Sequence, residues 1–259
     1  MLVFVMALRR HGDYLVEVRM RVRKILKQSD ALVACVRRVR KLSRAVKPPD
    51  PRYTIIERYL ESHECRKLQL GAGSNELDGW LNTDMCPKTD SIACLDVRQH
   101  LPFDDDEFDY VFSEHMLYQF DWQEGLSILS EYRRVLKPGG TVRVAEADLE
   151  VMIGLYTHRH DAQNQRFVEW ACDRFPGVCK PMPSFVINNQ FRAWCTQFLY
   201  DGELMALALQ EAGFSNIKRC SIGESEDENL RGIESHGKAM SAEDMASFET
   251  MVFEGTCPL

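Results

Sequence analysis

The stretch Lys67-Leu68-Gln69-Leu70-Gly71-Ala72-Gly73 constrains this chain most. It reads as a short strand running straight into two glycines. Glycine adopts left-handed backbone angles without a Cβ penalty, so the chain can turn tightly there and approach a bound nucleoside at the carboxyl end of a sheet. Further strand and helix signals follow in alternation. Residues 80–83, 91–95, 108–112 and 141–145 read as strands, and Glu124 to Leu136 reads as a helix stopped by Lys137-Pro138-Gly139-Gly140. A helix over 201–212, a strand over 216–221 and a last strand over 248–253 complete the pattern, with a short helix capped by Thr54 before it. Strands alternating with helices of this length predict an α/β fold, a doubly wound, mostly parallel seven-stranded sheet covered on both faces.

The N-terminal fifty residues have a different character. Residues 1–47 hold thirteen Lys and Arg against three acids, whereas the whole chain of 259 residues carries a net charge of -7. Leu32, Val36, Val39, Leu42 and Val46 recur at helical spacing. Residues 16–23 alternate strictly and fit a strand as well as a helix. Pro48-Pro49-Asp50-Pro51 cannot continue a helix and sets the boundary. We therefore expect a basic amphipathic helical arm over 1–50 and one domain over 51–259. The arm suits peripheral contact with an anionic membrane, or homodimerisation through its apolar stripe. The acidic body would repel phosphates, which makes nucleic acid an unlikely substrate. No apolar run reaches bilayer-spanning length, the apolar opening precedes its arginines in the wrong order for a secretory leader, and nine scattered cysteines without a C-x-x-C pair suit a reducing compartment. A cytoplasmic location is the expectation, at most peripherally membrane-associated.

The chemistry concentrates at strand ends. The third glycine of a dinucleotide fingerprint would fall at Glu76, a poor neighbour for a pyrophosphate, so a cofactor without phosphates fits better. Asp84 ends the next strand, too soon after the glycines for a nicotinamide enzyme but well placed to accept hydrogen bonds from two ribose hydroxyls. Asp96-Val97 follows another strand, where a carboxylate would meet an adenine amino group. Ser113-Glu114-His115 opens into the same crevice. In order and spacing, LQLGAGSN, WLNTD, LPFDDDEFDYVFSEHML and EYRRVLKPGGTVRVAEADL resemble class I S-adenosylmethionine-dependent methyltransferases of the broad type-11 group, and residues 188–236 resemble a bacterial subgroup associated with polysaccharide and natural-product pathways. The resemblance implies a Rossmann-like fold. It further implies S-adenosyl-L-methionine as cofactor, with S-adenosyl-L-homocysteine as product, bound by Leu70, Gly71, Ala72, Gly73, Asp84, Met85, Asp96, Val97, Ser113, Glu114 and His115. Two departures stand out: Tyr118 and Gln119 replace a Glu-His pair of the subgroup, and Trp194 is followed by Cys195-Thr196 where the subgroup carries Gly-His.

Methyl transfer from a sulfonium needs mainly alignment, worth about 7–11 kcal/mol. A hydroxyl acceptor gains a further ~10²–10⁴-fold from a general base. His115, His236 and Tyr200 are the candidates, weighed against a backbone-bonded histidine, a solvated loop histidine and a packed tyrosine respectively. Residues 150–198 form a long insertion rich in aromatic residues, from Tyr156 to Phe198, and predict a helical cap that buries substrate and excludes water. His158-Arg159-His160-Asp161 reads as a polar loop, and no metal site is expected. The expected activity is methylation of a hydroxyl on a sugar-bearing, glycan or other small bacterial metabolite. The alternative is a cofactor-binding subunit or regulator of the same fold without catalysis.

Overall fold

The structure, a computed structural model, describes residues 51–259, so the expectations for the basic arm lie outside the described residues. In chain order the elements are α1 (Pro51–Ser62), β1 (Lys67–Leu70), β2 (Leu81–Asp84), β3 (Ala93–Cys94), β4 (Phe108–Glu114), α2 (Trp122–Val135) and β5 (Leu136–Ala147). Then come α3 (Leu149–Thr157), α4 (Ala162–Arg174), α5 (Pro183–Gln190), α6 (Gly202–Glu211), β6 (Ser215–Cys220), α7 (His236–Ala239), α8 (Glu243–Glu249) and β7 (Thr250–Thr256). The seven strands form one sheet in the order β3-β2-β1-β4-β5-β7-β6. The first five are parallel, and β7 runs antiparallel to both its neighbours. No helix among the described residues is long and apolar enough to cross a membrane.

Helix α2 shows why the local sequence folds as it does. Asp121 caps it by accepting the Glu124 N–H, Glu124 lies in the first turn, and Arg133 and Arg134 lie in the last, each charge opposing the helix dipole. Its buried stripe of Ile128, Leu129, Tyr132 and Val135 packs on one face of the sheet with Leu68, Leu70, Val111 and Val142. The other face buries Trp80, Phe112, Ala145 and Val252 under Leu230 and Ile233. A separate apolar cluster joins α3, α4 and α5 to Ala242 and Met245, so the insertion after β5 is a small helical body with its own core.

Four elements differ from their sequence expectation. Helix α1 starts at Pro51, so Thr54 lies inside it rather than capping it. Strand β3 keeps only two residues of the five expected, because it is an edge pairing with β2 alone. Lys137-Pro138-Gly139-Gly140 does not separate helix from strand: β5 starts at Leu136, pairs first with Phe108, and shifts register before Tyr110. A Cβ at Gly140 would stand 2.9 Å from the carbonyls of Asp109 and Lys137, so only glycine lets the two strands close after the shift. Phe248 and Glu249 are the end of α8 rather than the start of the last strand, which begins at Thr250.

A fully buried arginine sits within the sheet. Arg143 Nε lies 2.5 Å from Glu234 and its Nη1 lies 2.6 Å from Glu254, while Nη1 also donates to the Glu224 carbonyl. Glu254 is its register partner on β7, and Glu234 belongs to the segment that leads into α7. Removing one partner from a buried pair leaves an uncompensated charge, so Arg143→Ala is expected to cost about 3–5 kcal/mol in urea-induced unfolding. A loss below about 1 kcal/mol, the value of an exposed pair, would contradict this account.

Candidate functional site

The sheet reverses its winding between β1 and β4, and the carboxyl ends of these two strands flank the crevice where α/β sheets bind ligands. Leu70 is level with Ser113 and with Thr83, so the glycine turn, Glu114 and Asp84 meet at one edge. Gly71 and Gly73 have φ of 74° and 58°, the left-handed region that the sequence leads one to expect. A Cβ on Gly71 would press on Met116 at 3.0 Å, whereas one on Gly73 would meet nothing within 4 Å. The Asp84 carboxylate accepts the Gly73 N–H at 2.8 Å and the Cys86 N–H at 2.7 Å, one on each oxygen. That fixes the carboxylate and leaves a lone pair on each oxygen. Asp96, just past β3, is gripped by its own neighbour Arg98, whose Nε and Nη2 each donate at 2.9 Å and hold the carboxyl below its ordinary range. Arg98 also reaches the exposed Met85 sulfur, and Val97 is buried beside them. Glu76 turns to Thr89 and Ser91, whose hydroxyls lower its pKa.

At the end of β4, Ser113 is fully buried with an unpartnered hydroxyl. The Glu114 carboxylate accepts the backbone N–H groups of Ser235 and His236 at 3.0 and 3.1 Å, and the Ser235 hydroxyl as well. His115 follows with φ of 50°, a conformation rare outside glycine, held by donation of its N–H to Ala145. Its ring lies 4.1 Å from that of His236, centroid to centroid, and its Nε2 is 3.2 Å from the Thr250 hydroxyl. Burial, together with His236, holds the His115 pKa well below its ordinary value, and burial lowers that of His236 too. Glu249, the last residue of α8, sits 3.9 Å from His236 Nε2. Burial pushes its carboxyl up to about 8, with no hydrogen bond among the described residues opposing the shift. The turn after His115 is fixed from below by Glu146, which accepts the N–H groups of Met116 and Leu117 at 3.0 and 2.7 Å.

A small cavity of ≈ 70 Å³ opens beside this cluster, lined by His115, Tyr118, His236 and Glu249 and by Phe175, Gln190 and Trp194 from the helical insertion. The aromatic residues of the insertion thus divide. Phe167 is buried in the core of the insertion, Phe175 and Trp194 face the cavity in edge contact at 5.1 Å, and Phe198 packs on Trp122 and Tyr200. Trp194 and Cys195 both have left-handed φ, 53° and 61°. A residue with a Cβ bears strain in this conformation, roughly 1–2 kcal/mol. Tyr200 is not brought to the cavity. It is almost fully buried, its hydroxyl without a partner and its pKa raised first by burial. His158 and His160 lie in an exposed turn after α3.

Sequence reasoning missed Glu146 and Glu249. The first hides in the long apolar strand β5, and the second was assigned to β7. A carboxylate inside an apolar run is the one signal that could have marked Glu146. Burial raises its pKa to about 7 from 4.5, against the pull of the three backbone N–H groups at its oxygens and helped by nearby Glu114. Between those two values the folded protein holds a proton that the unfolded chain has released. This contribution to stability is full below about pH 4.5 and is lost as pH rises through 7. Glu146→Gln keeps an acceptor for the turn and removes the titration. Its unfolding free energy should vary about 3 kcal/mol less between pH 4.5 and 7.5 than that of the wild type. Parallel pH profiles of the two proteins would rule the assignment out.

Residues 72–144 match the family model described as a methyltransferase domain. No curated protein matches the chain. Among solved structures it is similar to the methyltransferase in complex with the Trm112 methyltransferase activator of Haloferax volcanii, at 20% identity over 80% of this chain and 91% of that one, with a TM-score of 0.43. It is also similar to a SAM-dependent methyltransferase of Thermotoga maritima, at 15% identity over 76% and 87% of the two chains with a TM-score of 0.44. A SAM-dependent methyltransferase of Archaeoglobus fulgidus shows 14% identity over 80% and 94%, with a TM-score of 0.43. Gly73, Asp84 and β4 fall within the segment that matches the methyltransferase-domain model, and Gly71 lies just before it.

Proposed function

We propose that the protein transfers a methyl group to a hydroxyl of a small acceptor, of the sugar-bearing or related metabolite class, held in the cavity under the helical insertion. The observation that carries this reading is the adjacency of the two spaces. Leu70, just before Gly71, pairs with Ser113, and His115 lies two residues beyond Ser113, so the crevice of Gly71, Gly73 and Asp84 and the cavity at His115 lie at the ends of neighbouring strands. The crevice suits S-adenosylmethionine: Gly73 faces open space, Asp84 holds two lone pairs ready for ribose hydroxyls, and the Ser113 hydroxyl is buried without a partner. Glu76, already hydrogen-bonded elsewhere, leaves no anion site for a pyrophosphate.

The cofactor supplies a methyl group already activated by its sulfonium. The chain's own residues have three tasks. Gly71, Gly73, Asp84 and the Asp96–Val97 turn hold the cofactor, with Leu70, Ala72 and Met85 around them. Phe175 and Trp194 bury the acceptor and exclude water, which strengthens each polar contact inside. His115 and His236, both neutral at pH 7, are the groups that can take the hydroxyl proton. The basic arm supports delivery of the enzyme to anionic lipid headgroups. On that view, vesicles rich in anionic lipid should sediment the full chain and leave a chain lacking residues 1–50 in solution; equal sedimentation would discard it.

Calorimetric titration with S-adenosylmethionine and S-adenosylhomocysteine tests the cofactor assignment. Asp84→Ala removes two charge-assisted hydrogen bonds, roughly 1.5–3 kcal/mol each, so affinity should fall at least ~100-fold. A panel of hydroxylated sugars and small metabolites, read by release of S-adenosylhomocysteine, tests the acceptor class. Binding without turnover on any hydroxyl acceptor would reject the transfer reaction while leaving the cofactor site standing.

A further inference from the structure

We propose that His115, His236 and Glu249 form a site for one divalent transition-metal ion in the cavity beside the cofactor crevice. One ligand atom from each residue lies within 4.8 Å of the other two. Two imidazole nitrogens and one carboxylate with an open side is the ligand set of catalytic zinc sites and of non-haem iron(II) sites, and the carboxylate also suits manganese. The spacing favours an ion over a direct bond. Glu249 Oε1 is 3.9 Å from His236 Nε2, too far for a hydrogen bond. Two ligands at about 2.0–2.2 Å from one tetrahedral ion stand ~3.4 Å apart, so a small side-chain rotation would close the set.

The surroundings are built to hold the three groups in place. His115 is fixed by its strand register, by its backbone bond to Ala145 and by the Thr250 hydroxyl at its ring. His236 starts α7, and its backbone N–H is pinned by Glu114. Glu249 reaches the carboxyl edge because β7 runs antiparallel, which brings the start of that strand to the ends of the parallel ones. Its carboxyl is buried and receives no hydrogen bond among the described residues, an arrangement that costs free energy in an apolar wall unless a cation pairs with it. Tyr118, Gln190 and Trp194 line the open side, where acceptor oxygens would complete the coordination.

The inference rests on the methyltransferase reading only for its consequence. In the loaded protein the two imidazoles would hold the ion, whose charge would lower the pKa of a coordinated acceptor hydroxyl; the proton-accepting role given to the imidazoles above is that of the metal-free protein. The class of acceptor narrows accordingly to molecules that offer an oxygen ligand beside the methylated hydroxyl.

The test uses the full chain stripped with EDTA and titrated with Mn²⁺ under electron paramagnetic resonance, an ion that thiolates do not favour, and then with Zn²⁺ by calorimetry. One ion per chain is expected. Affinity should fall by more than ~100-fold in His236→Ala and in the near-isosteric Glu249→Gln, and by about 10–100-fold in Thr250→Val, as for an outer partner of a ligand. Circular dichroism establishes that each variant is folded. Folded wild type that binds no ion, or binding left unchanged in Glu249→Gln, overturns the site. S-adenosylmethionine titrated into the same stripped protein reports separately on the cofactor reading, so either can fail alone.

Discussion

Arg143 is the point on which the far half of the molecule turns. Its guanidinium is fully buried in β5 and joins two carboxylates that are distant in sequence. One, Glu254, locks β7 in register beside β5. The other, Glu234, holds the segment that ends at His236. A charge in that position is stable only when both partners arrive, since desolvating it alone would cost several kcal/mol. Glu114 then fixes the same segment from the neighbouring strand. The His115–His236–Glu249 cluster is therefore positioned by buried ion pairs and backbone register rather than by its own contacts. It stands 4 Å or so from itself without a single direct hydrogen bond between its members.

Much of this was legible in the sequence, for a physical reason. Parallel strands buried on both faces are written as apolar runs, and the turn after β1 needs glycine at positive φ. Such features declare themselves locally, as do helix caps like Asp121. The cofactor crevice inherits that legibility because its parts lie at the ends of consecutive strands. What sequence reasoning could not reach was composed of distant pieces. Nothing near Glu249 announces that β7 will insert antiparallel between β5 and β6 and carry that residue to the carboxyl edge. Tyr200 shows the opposite failure: a hydroxyl-bearing ring near the cap in sequence became part of the core against Trp122 and Phe198. The KPGG segment misled in a third way, since the glycines that break a helix also allow the close strand crossing after the bulge.

The helical insertion has a parallel logic. It has its own apolar cluster, and Phe175, packed on the rim of that cluster, faces the cavity together with Trp194. Trp194 and Cys195 carry the only adjacent pair of non-glycine left-handed residues among those described, at the point where the insertion meets the site. Strain of this kind persists where the surroundings over-determine the backbone, and it collects at functional loops.

The insertion of β7 between β5 and β6 has one further effect. While the chain is being made, β5 must wait with its outer edge unpaired until more than a hundred later residues have appeared. An apolar strand edge exposed for that time invites pairing with another copy. Arg143 lies in the middle of that edge, flanked by Val142 and Val144, and until Glu254 reaches it a bare guanidinium interrupts an otherwise sticky strip. Inward-pointing charges are one way sheets discourage edge-to-edge association. The residue that locks the finished sheet also guards it while it is unfinished.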